Sequence, residues 1–163
     1  DVSAARILVL GFGNPGRRDD GLGPALAEEL EKRALPGVTV EADYQLTVDD
    51  AAAAGASETV IFVDAALSGP EPFAFTRVPD EEEAASFGSH SINPAAVLQL
   101  ARRCFGISPR GYVLGIRGYE FDEFGEGLST QAAQNLAAAL TFLEEALRNG
   151  RLDEFVTARK EAP

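Results

Sequence analysis

The sequence predicts a single three-layer α/β/α domain: a mostly parallel, twisted five-stranded sheet flanked by helices. Two observations carry this reading. Apolar runs rich in Val, Ile and Leu alternate with helical patterns along the chain, with no internal repeat and no linker. The first apolar run leads directly into a glycine-rich turn, Gly11-Phe12-Gly13-Asn14-Pro15-Gly16-Arg17-Arg18-Asp19-Asp20-Gly21-Leu22-Gly23, which is where open α/β sheets build their sites. The chain has 163 residues, enough for one domain that buries roughly 70% of its unfolded surface without disulfide staples. Residues 1–150 are expected to form that domain and residues 151–163 a charged, loosely attached tail.

The elements follow in order. Strands are expected at Arg6 to Gly11, Val38 to Ala42, Thr59 to Asp64, Phe73 to Val78 and Tyr112 to Ile116. Pro24 suits a first helical turn, and Leu22, Leu26 and Leu30 form one apolar stripe of a helix reaching about Arg33. Thr47 followed by Asp50 resembles a capping box before Ala51 to Ala54, with Gly55 closing a short helix. Asn93 can cap a helix whose first residue is Pro94, with Val97, Leu100, Ala101 and Cys104 on one face, which places the cysteine in the core. A last long helix runs from about Ser129 to Arg148, with Leu136, Leu140, Leu143 and Leu147 inward and Gly150 ending it.

Composition bounds the function. The formal charge of -12 opposes binding of nucleic acid or anionic membrane by counterion release, and favours a basic partner surface, a cation or a neutral ligand. One cysteine, Cys104, precludes an internal disulfide framework and fits a reducing compartment. No apolar run approaches the ~20 residues that span a bilayer, and the opening Asp1-Val2-Ser3 lacks a secretory pattern, so a cytoplasmic location is expected.

Gly11, Gly13 and Gly16 satisfy the dinucleotide fingerprint G-x-G-x-x-G, and Glu41 or Asp43 stands where a ribose-binding acid would be. A nucleotide-binding Rossmann-type enzyme is therefore one alternative. Against it, Pro15 removes an amide from the turn, the helical stripe starts only around Gly21 to Pro24, and Asp19 and Asp20 would repel a diphosphate. The third strand, Val60-Ile61-Phe62-Val63, ends in Asp64. If it lies beside the first strand, Asp64 shares the carboxyl-end edge with Asp20. The only histidine, His90, precedes the cap of the third helix within Ser89-His90-Ser91-Ile92-Asn93-Pro94. Each residue alone has a plain structural reading, as a cap or a solvated side chain. Together, two carboxylates and one imidazole can form an open metal site.

The residues Gly11-x-Gly13-Asn14-Pro15, Asp19-Asp20-Gly21-x-Gly23, Val63-Asp64-Ala65 and Ser89-His90 before a helix resemble, in order and spacing, the maturation endopeptidases of nickel-iron hydrogenases. The similarity runs from Ile7 to about Leu147. It implies a peptidase domain with a twisted sheet flanked by helices, and removal of a C-terminal extension from the hydrogenase large-subunit precursor after nickel insertion. The family's metal-contacting acids and histidine fall on Asp20, Asp64 and His90, with Asp19 the neighbouring alternative to Asp20. Nickel is then carried by the precursor, which is the implied partner. The segment from Asp43 to Ala51 further resembles the branch acting on bidirectional, soluble-type hydrogenases. After the last strand, Gly115-Ile116-Arg117-Gly118-Tyr119-Glu120 departs from the family's Gly-Ile-x-Pro-Glu pattern at Gly118, so Glu120 reads as a solvated loop acid, as do Glu81, Glu82 and Glu83.

The residues also constrain mechanism. No G-x-S-x-G elbow accompanies the histidine, no H-E-x-x-H helix exists, and the stripe position of Cys104 opposes thiol catalysis. Hydrolysis assisted by a metal or by carboxylates remains, with Asp20 or Asp64 accepting a proton from the attacking water. A non-catalytic nickel-binding assembly factor is the other alternative. Substrate specificity is expected in the loops Leu46 to Gly55 and Tyr119 to Gly127.

Overall fold

The computed structural model describes residues 6–88 and 91–157. Five strands, β1 (Ile7–Phe12), β2 (Val38–Asp43), β3 (Thr59–Ala66), β4 (Phe73–Arg77) and β5 (Arg110–Arg117), form one sheet in the order β2-β1-β3-β5-β4. The β1–β2, β1–β3 and β3–β5 pairs are parallel, and β4 joins β5 antiparallel at the edge. All five expected strands are present. Pairing Leu10 with Phe62 and Gly11 with Val63 puts the carboxyl ends of β1 and β3 side by side.

Four helices cover the two faces: α1 (Leu22–Glu31), α2 (Asp50–Gly55), α3 (Pro94–Phe105) and α4 (Thr130–Asn149). Strand alternation divides the core accordingly. Val9, Ile61, Val63, Leu114 and Ile116 face α1 and α4, where they meet Leu22, Leu26, Leu30, Leu140 and Leu143. Leu8, Leu10, Val60 and Phe62 face α2 and α3, where they meet Leu46, Ala54, Val97, Leu98 and Ala101. Three layers result because a sheet apolar on both faces has to be covered on both.

The helix ends are chemically specified. The Asn93 side chain accepts from the Ala96 amide with Pro94 as the first helical residue, and Gly106 closes α3 in the left-handed region. The Ser129 side chain accepts from the Ala132 amide, and Gly150 closes α4 with φ +85°. At α2 only half of the capping box forms: Asp50 Oδ2 accepts from the Thr47 amide at 2.9 Å, whereas Thr47 Oγ1 accepts from Asp49 two residues on.

Three expectations are corrected. Cys104 is exposed, because the inward stripe of α3 is Ala95, Ala96, Val97, Leu98 and Ala101, and the last turn projects beyond the helical cluster. Leucine 98, not Leu100, carries that stripe into the core. β3 does not stop at Asp64 but continues to Ala66, because Asp64, Ala65 and Ala66 pair with Gly115, Ile116 and Arg117. Residues 151–157 are docked rather than loose: Leu152 is buried, Asp153 pairs with Arg77 and Arg110, and Thr157 exchanges hydrogen bonds with Phe75 through its amide and hydroxyl. A short helical turn at Leu152–Phe155 after Gly150 brings these groups back to β4.

Gly23 sets how closely α1 can approach the sheet. A Cβ there would stand 2.5 Å from the carbonyl oxygens of both Phe12 and Val63. Neither backbone can retreat without breaking the sheet. Gly23→Ala is therefore expected to destabilise the protein by about 2 kcal/mol or more, read as a lowered urea midpoint with unchanged m-value.

Candidate active site

The carboxyl ends of β1 and β3 and the loop after β5 converge on the glycine-rich turn. Asn14 organises that turn locally: its Oδ1 accepts from the Gly16 amide at 2.8 Å, an arrangement that uses Pro15 as the turn corner. Its own amide donates to Asp20 Oδ2 at 2.8 Å. A helical turn at Arg18–Gly21 then carries Asp19 and Asp20 in opposite roles.

Asp19 is fully buried. Its Oδ1 accepts from the Ser129 amide, and its Oδ2 accepts from the amides of Tyr119 and Glu120 and from the Ser129 hydroxyl, all at 2.7–2.9 Å. Burial alone would raise its pKa, but the bonds from Ser129, Glu120 and Tyr119 outweigh it and hold the carboxyl below its ordinary range. The carboxylate thus ties the first turn of the site to the loop after β5 and to the start of α4. Neighbouring arginines complete the tie. Arg18 donates through its amide to Gly125 and through Nε to Gly127, and pairs with Glu120 at 3.2 Å. Arg17 lies 5.1 Å over the Phe124 ring.

This explains Gly118. A Cβ at that position would lie 2.9 Å from the Asp19 Cβ and 2.8 Å from the Phe121 ring. Glu120 is a partly exposed loop acid paired with Arg18, and Glu81, Glu82 and Glu83 are exposed, Glu82 pairing with Arg103.

Asp20 and Asp64 form the other carboxylate pair. Asp64 leaves β3 on the face covered by α2 and α3, and its Oδ1 accepts from the Ala65 amide at 2.7 Å. Burial, with repulsion from the Asp20 charge added, pushes its carboxyl up to about 7 against the opposing pull of the Ala65 amide. One oxygen of each carboxylate, Asp20 Oδ2 and Asp64 Oδ1, is held by a backbone amide, and among the described residues no buried side-chain polar atom lacks a partner. Both carboxylates are half-buried, Asp20 in the helical turn after β1 and Asp64 near the carboxyl end of β3. Such a pair can hold a cation or a proton, and it repels an anion.

His90 and Ser89 lie outside the described residues. Among the described residues no three His, Cys, Asp or Glu side chains group so as to hold a metal ion, so Asp20 and Asp64 require a third donor. A cavity of about 270 Å³, lined by Gly13, Pro15, Pro24, Ala42, Asp43 and Tyr44, opens beside the turn. The dinucleotide alternative fares poorly on this geometry. α1 begins at Leu22, beyond the last fingerprint glycine, and the Asn14 amide is already taken by a carboxylate. Sequence reasoning missed the roles of Asn14, Ser129 and Asp19. The signal for the first was Asn-Pro-Gly itself, an Asx-turn sequence; nothing local marks a contact between positions 19 and 129.

The arrangement defines a class: a single α/β domain carrying a carboxylate pair at the carboxyl edge of its parallel strands. No family model and no curated protein sequence matches the chain. Solved structures do. The chain is similar to a hydrogenase 2 maturation peptidase from a Thaumarchaeota archaeon, with 26% identity, TM-score 0.66, and 88% of this chain and 98% of that one covered. It is similar to the NiFe hydrogenase maturation protease HycI from Thermococcus kodakarensis, with 22% identity, TM-score 0.67, and coverage of 90% and 95%. It is also similar to the hydrogenase maturating endopeptidase HybD from E. coli, with 24% identity, TM-score 0.68, and coverage of 90% and 94%. The chain has the fold of the NiFe hydrogenase maturation proteases and groups with them by structure.

Two outcomes are expected. Asp19→Asn turns at least one of four donors against an amide group and should cost about 3 kcal/mol in chemical denaturation at pH 7, an increment that shrinks as acid protonates the wild-type carboxylate. For Asp64 the sign is opposite. Its folded pKa stands at about 7 against an ordinary 3.8, so the folded state holds the extra proton between them, and the stability of metal-free protein falls as pH rises through that window. Urea titrations at pH 5 and pH 8 should show this difference in wild type and a smaller one in Asp64→Asn.

Proposed function

We propose that this chain is an endopeptidase that removes a C-terminal extension from the nickel-loaded large-subunit precursor of a nickel-iron hydrogenase, with Asp20, Asp64 and His90 meeting the nickel. The observation that carries the reading is the carboxylate pair in this fold. Asp20 and Asp64 are both half-buried and the Asp20 charge acts on Asp64, a mutual repulsion that a cation would relieve. The three solved proteins named above are hydrogenase maturation peptidases by their descriptions, which supports peptide-bond hydrolysis as the reaction. His90 enters the ligand set through the family resemblance.

Nickel is cargo of the substrate in this reading, and the donor set suits it. Carboxylate oxygen and imidazole nitrogen are accepted by divalent first-row ions, and a set of three leaves positions for the precursor's own ligands and for water. A cation held there would polarise the scissile carbonyl and acidify a nearby water. The chain's own contribution is the carboxylate pair. Asp20 is fixed by the Asn14 amide and Asp64 by the Ala65 amide, so each offers one oxygen in a set direction. Asp20 or Asp64 would take a proton from the attacking water and return it to the leaving amine. Processing then depends on nickel insertion, because precursor without the ion leaves the pair's repulsion uncompensated. No helix among the described residues is long and apolar enough to cross a membrane. The negative charge of the chain favours a partner with a basic surface.

The test is cleavage of purified nickel-loaded precursor, followed by intact-mass measurement of the released peptide. Asp20→Asn, Asp64→Asn and His90→Ala should each lower the rate by about 100-fold or more while retaining the wild-type amide spectrum. Nickel-free precursor should remain uncut. Binding of loaded precursor by wild-type protein without any peptide release would assign the chain to the non-catalytic assembly factors instead.

A further inference from the structure

The two edges of the sheet are treated differently. At β4 the chain covers its own edge: the Thr157 amide donates to the Phe75 carbonyl, the Phe75 amide donates to Thr157 Oγ1, and Asp153 clamps Arg77 from the same segment. At β2 no described segment does the same, and Glu41 through Gln45 are exposed in succession. The direction of the open groups can be read from the pairing. The Ile7 amide donates to the Gly37 carbonyl and the Gly13 amide to the Asp43 carbonyl, so odd-numbered residues of this segment face β1. In a parallel strand the amide and carbonyl of one residue point the same way, which leaves Val40 and Ala42 presenting theirs outward. An uncovered run of this kind is a template for an added strand.

The side chains along this edge alternate in chemistry. Val38 and Val40 pack on the core shared with α1, and Ala42 and Tyr44 continue that face into the apolar cavity of about 270 Å³ with Pro24 and Pro15. Glu41 and Asp43 occupy the opposite face and stand close enough to Asp50 for their charges to act on it, with Asp49 beside them. The cavity lies against Gly13 and Pro15, which flank the Asn14 amide that holds Asp20. The edge thus leads directly to the carboxylate pair.

We infer that β2 is the docking edge for the protein substrate, binding an extended segment as a sixth strand in which basic side chains, set against Glu41 and Asp43, alternate with apolar ones set against Ala42 and Tyr44. This rests on the protease reading for its biological occupant. Charge complementarity argues for the basic register, since the chain carries a formal charge of -12 and an acidic strand would meet Glu41, Asp43 and Asp49 unscreened. Main-chain pairing supplies affinity, and the alternation supplies register.

The experiment uses the whole protein and an acetylated, amidated hexapeptide of alternating lysine and valine, with amide exchange followed by NMR. The expected result is saturable slowing of exchange at Val40 and Ala42 with a shift at Tyr44. The block isomer, three lysines then three valines, and the alternating glutamate-valine peptide should each bind at least about tenfold more weakly. Glu41→Lys combined with Asp43→Lys should weaken the lysine peptide by a similar factor. Ala42→Pro should abolish protection at Val40 while leaving the β1 amides protected, since the Ala42 amide points away from the ladder. Both variants should raise KM for nickel-loaded precursor at unchanged kcat.

Protection elsewhere, equal binding of the block isomer, or unchanged KM in variants of a wild type that cleaves would overturn the docking edge and leave the protease standing. Protection at Val40 and Ala42 that appears without peptide and rises with protein concentration would assign the edge to a second copy, overturning it too. A wild type that never cleaves precursor defeats the protease reading alone, because the exchange experiment decides the edge without any cleavage.

Discussion

The carboxylate of Asp19 is the constraint on which the site depends. Four donors from two distant segments converge on it, two from the loop after β5 and two from the residue that caps α4. A buried charge is tolerated only when its lone pairs are filled, and here filling them requires the loop and the helix start to be in place together. The same residue sits next to Asp20, so the buried lock and the candidate site's carboxylate are one peptide unit apart. Ser129 serves both ends of this connection: its oxygen accepts from Ala132 to start α4 and donates to Asp19 to hold the turn. The left-handed backbone of Arg18, φ +53°, belongs to the same knot, held by Gly125, Gly127 and Glu120.

Asp19 and Asp64 acquire opposite electrostatics from their surroundings. Asp19 is surrounded by donors and stays ionised despite its burial. Asp64 has one donor, a desolvated position and a second carboxylate nearby, so its proton is retained toward neutrality. The first environment fixes structure and the second stores repulsion that a cation or a proton can release.

The sheet shows a parallel division of labour. One edge is closed by the chain's own final segment, through Thr157 and Asp153, and the other is left open next to the cavity at Pro15 and Tyr44. Closing β4 removes an aggregation-prone edge far from the chemistry, while the acids on β2 keep its open edge from pairing indiscriminately. Five of the exposed large hydrophobics, Tyr44, Val48, Leu67, Phe87 and Phe124, lie in segments that follow the carboxyl ends of strands or enter α3. Apolar exposure at that end of the sheet suits a macromolecular partner better than a small solute.

Much of this was legible in the chain itself, because the informative signals are local. Local apolar patterns and end signals located the five strands and the four longer helices, and caps such as Asn93, Ser129 and Gly150 carry their geometry in their own side chains or backbone freedom. The motif order also pointed to Asp20 and Asp64, and the β1–β3 pairing does bring their strands together. What the sequence alone could not decide was everything set by contacts between distant segments. The inward stripe of α3 is chosen by the sheet it packs on, so Leu98 enters and Cys104 does not. Residues 151–157 are docked through Phe75 and Arg77, some eighty residues earlier, and no local pattern announces that pairing. The division between Asp19 and Asp20 is of the same kind. Two identical side chains on neighbouring residues are chemically indistinguishable in sequence, and only the tertiary placement of Tyr119, Glu120 and Ser129 makes one a fully buried lock and leaves the other half-buried on the Asn14 amide.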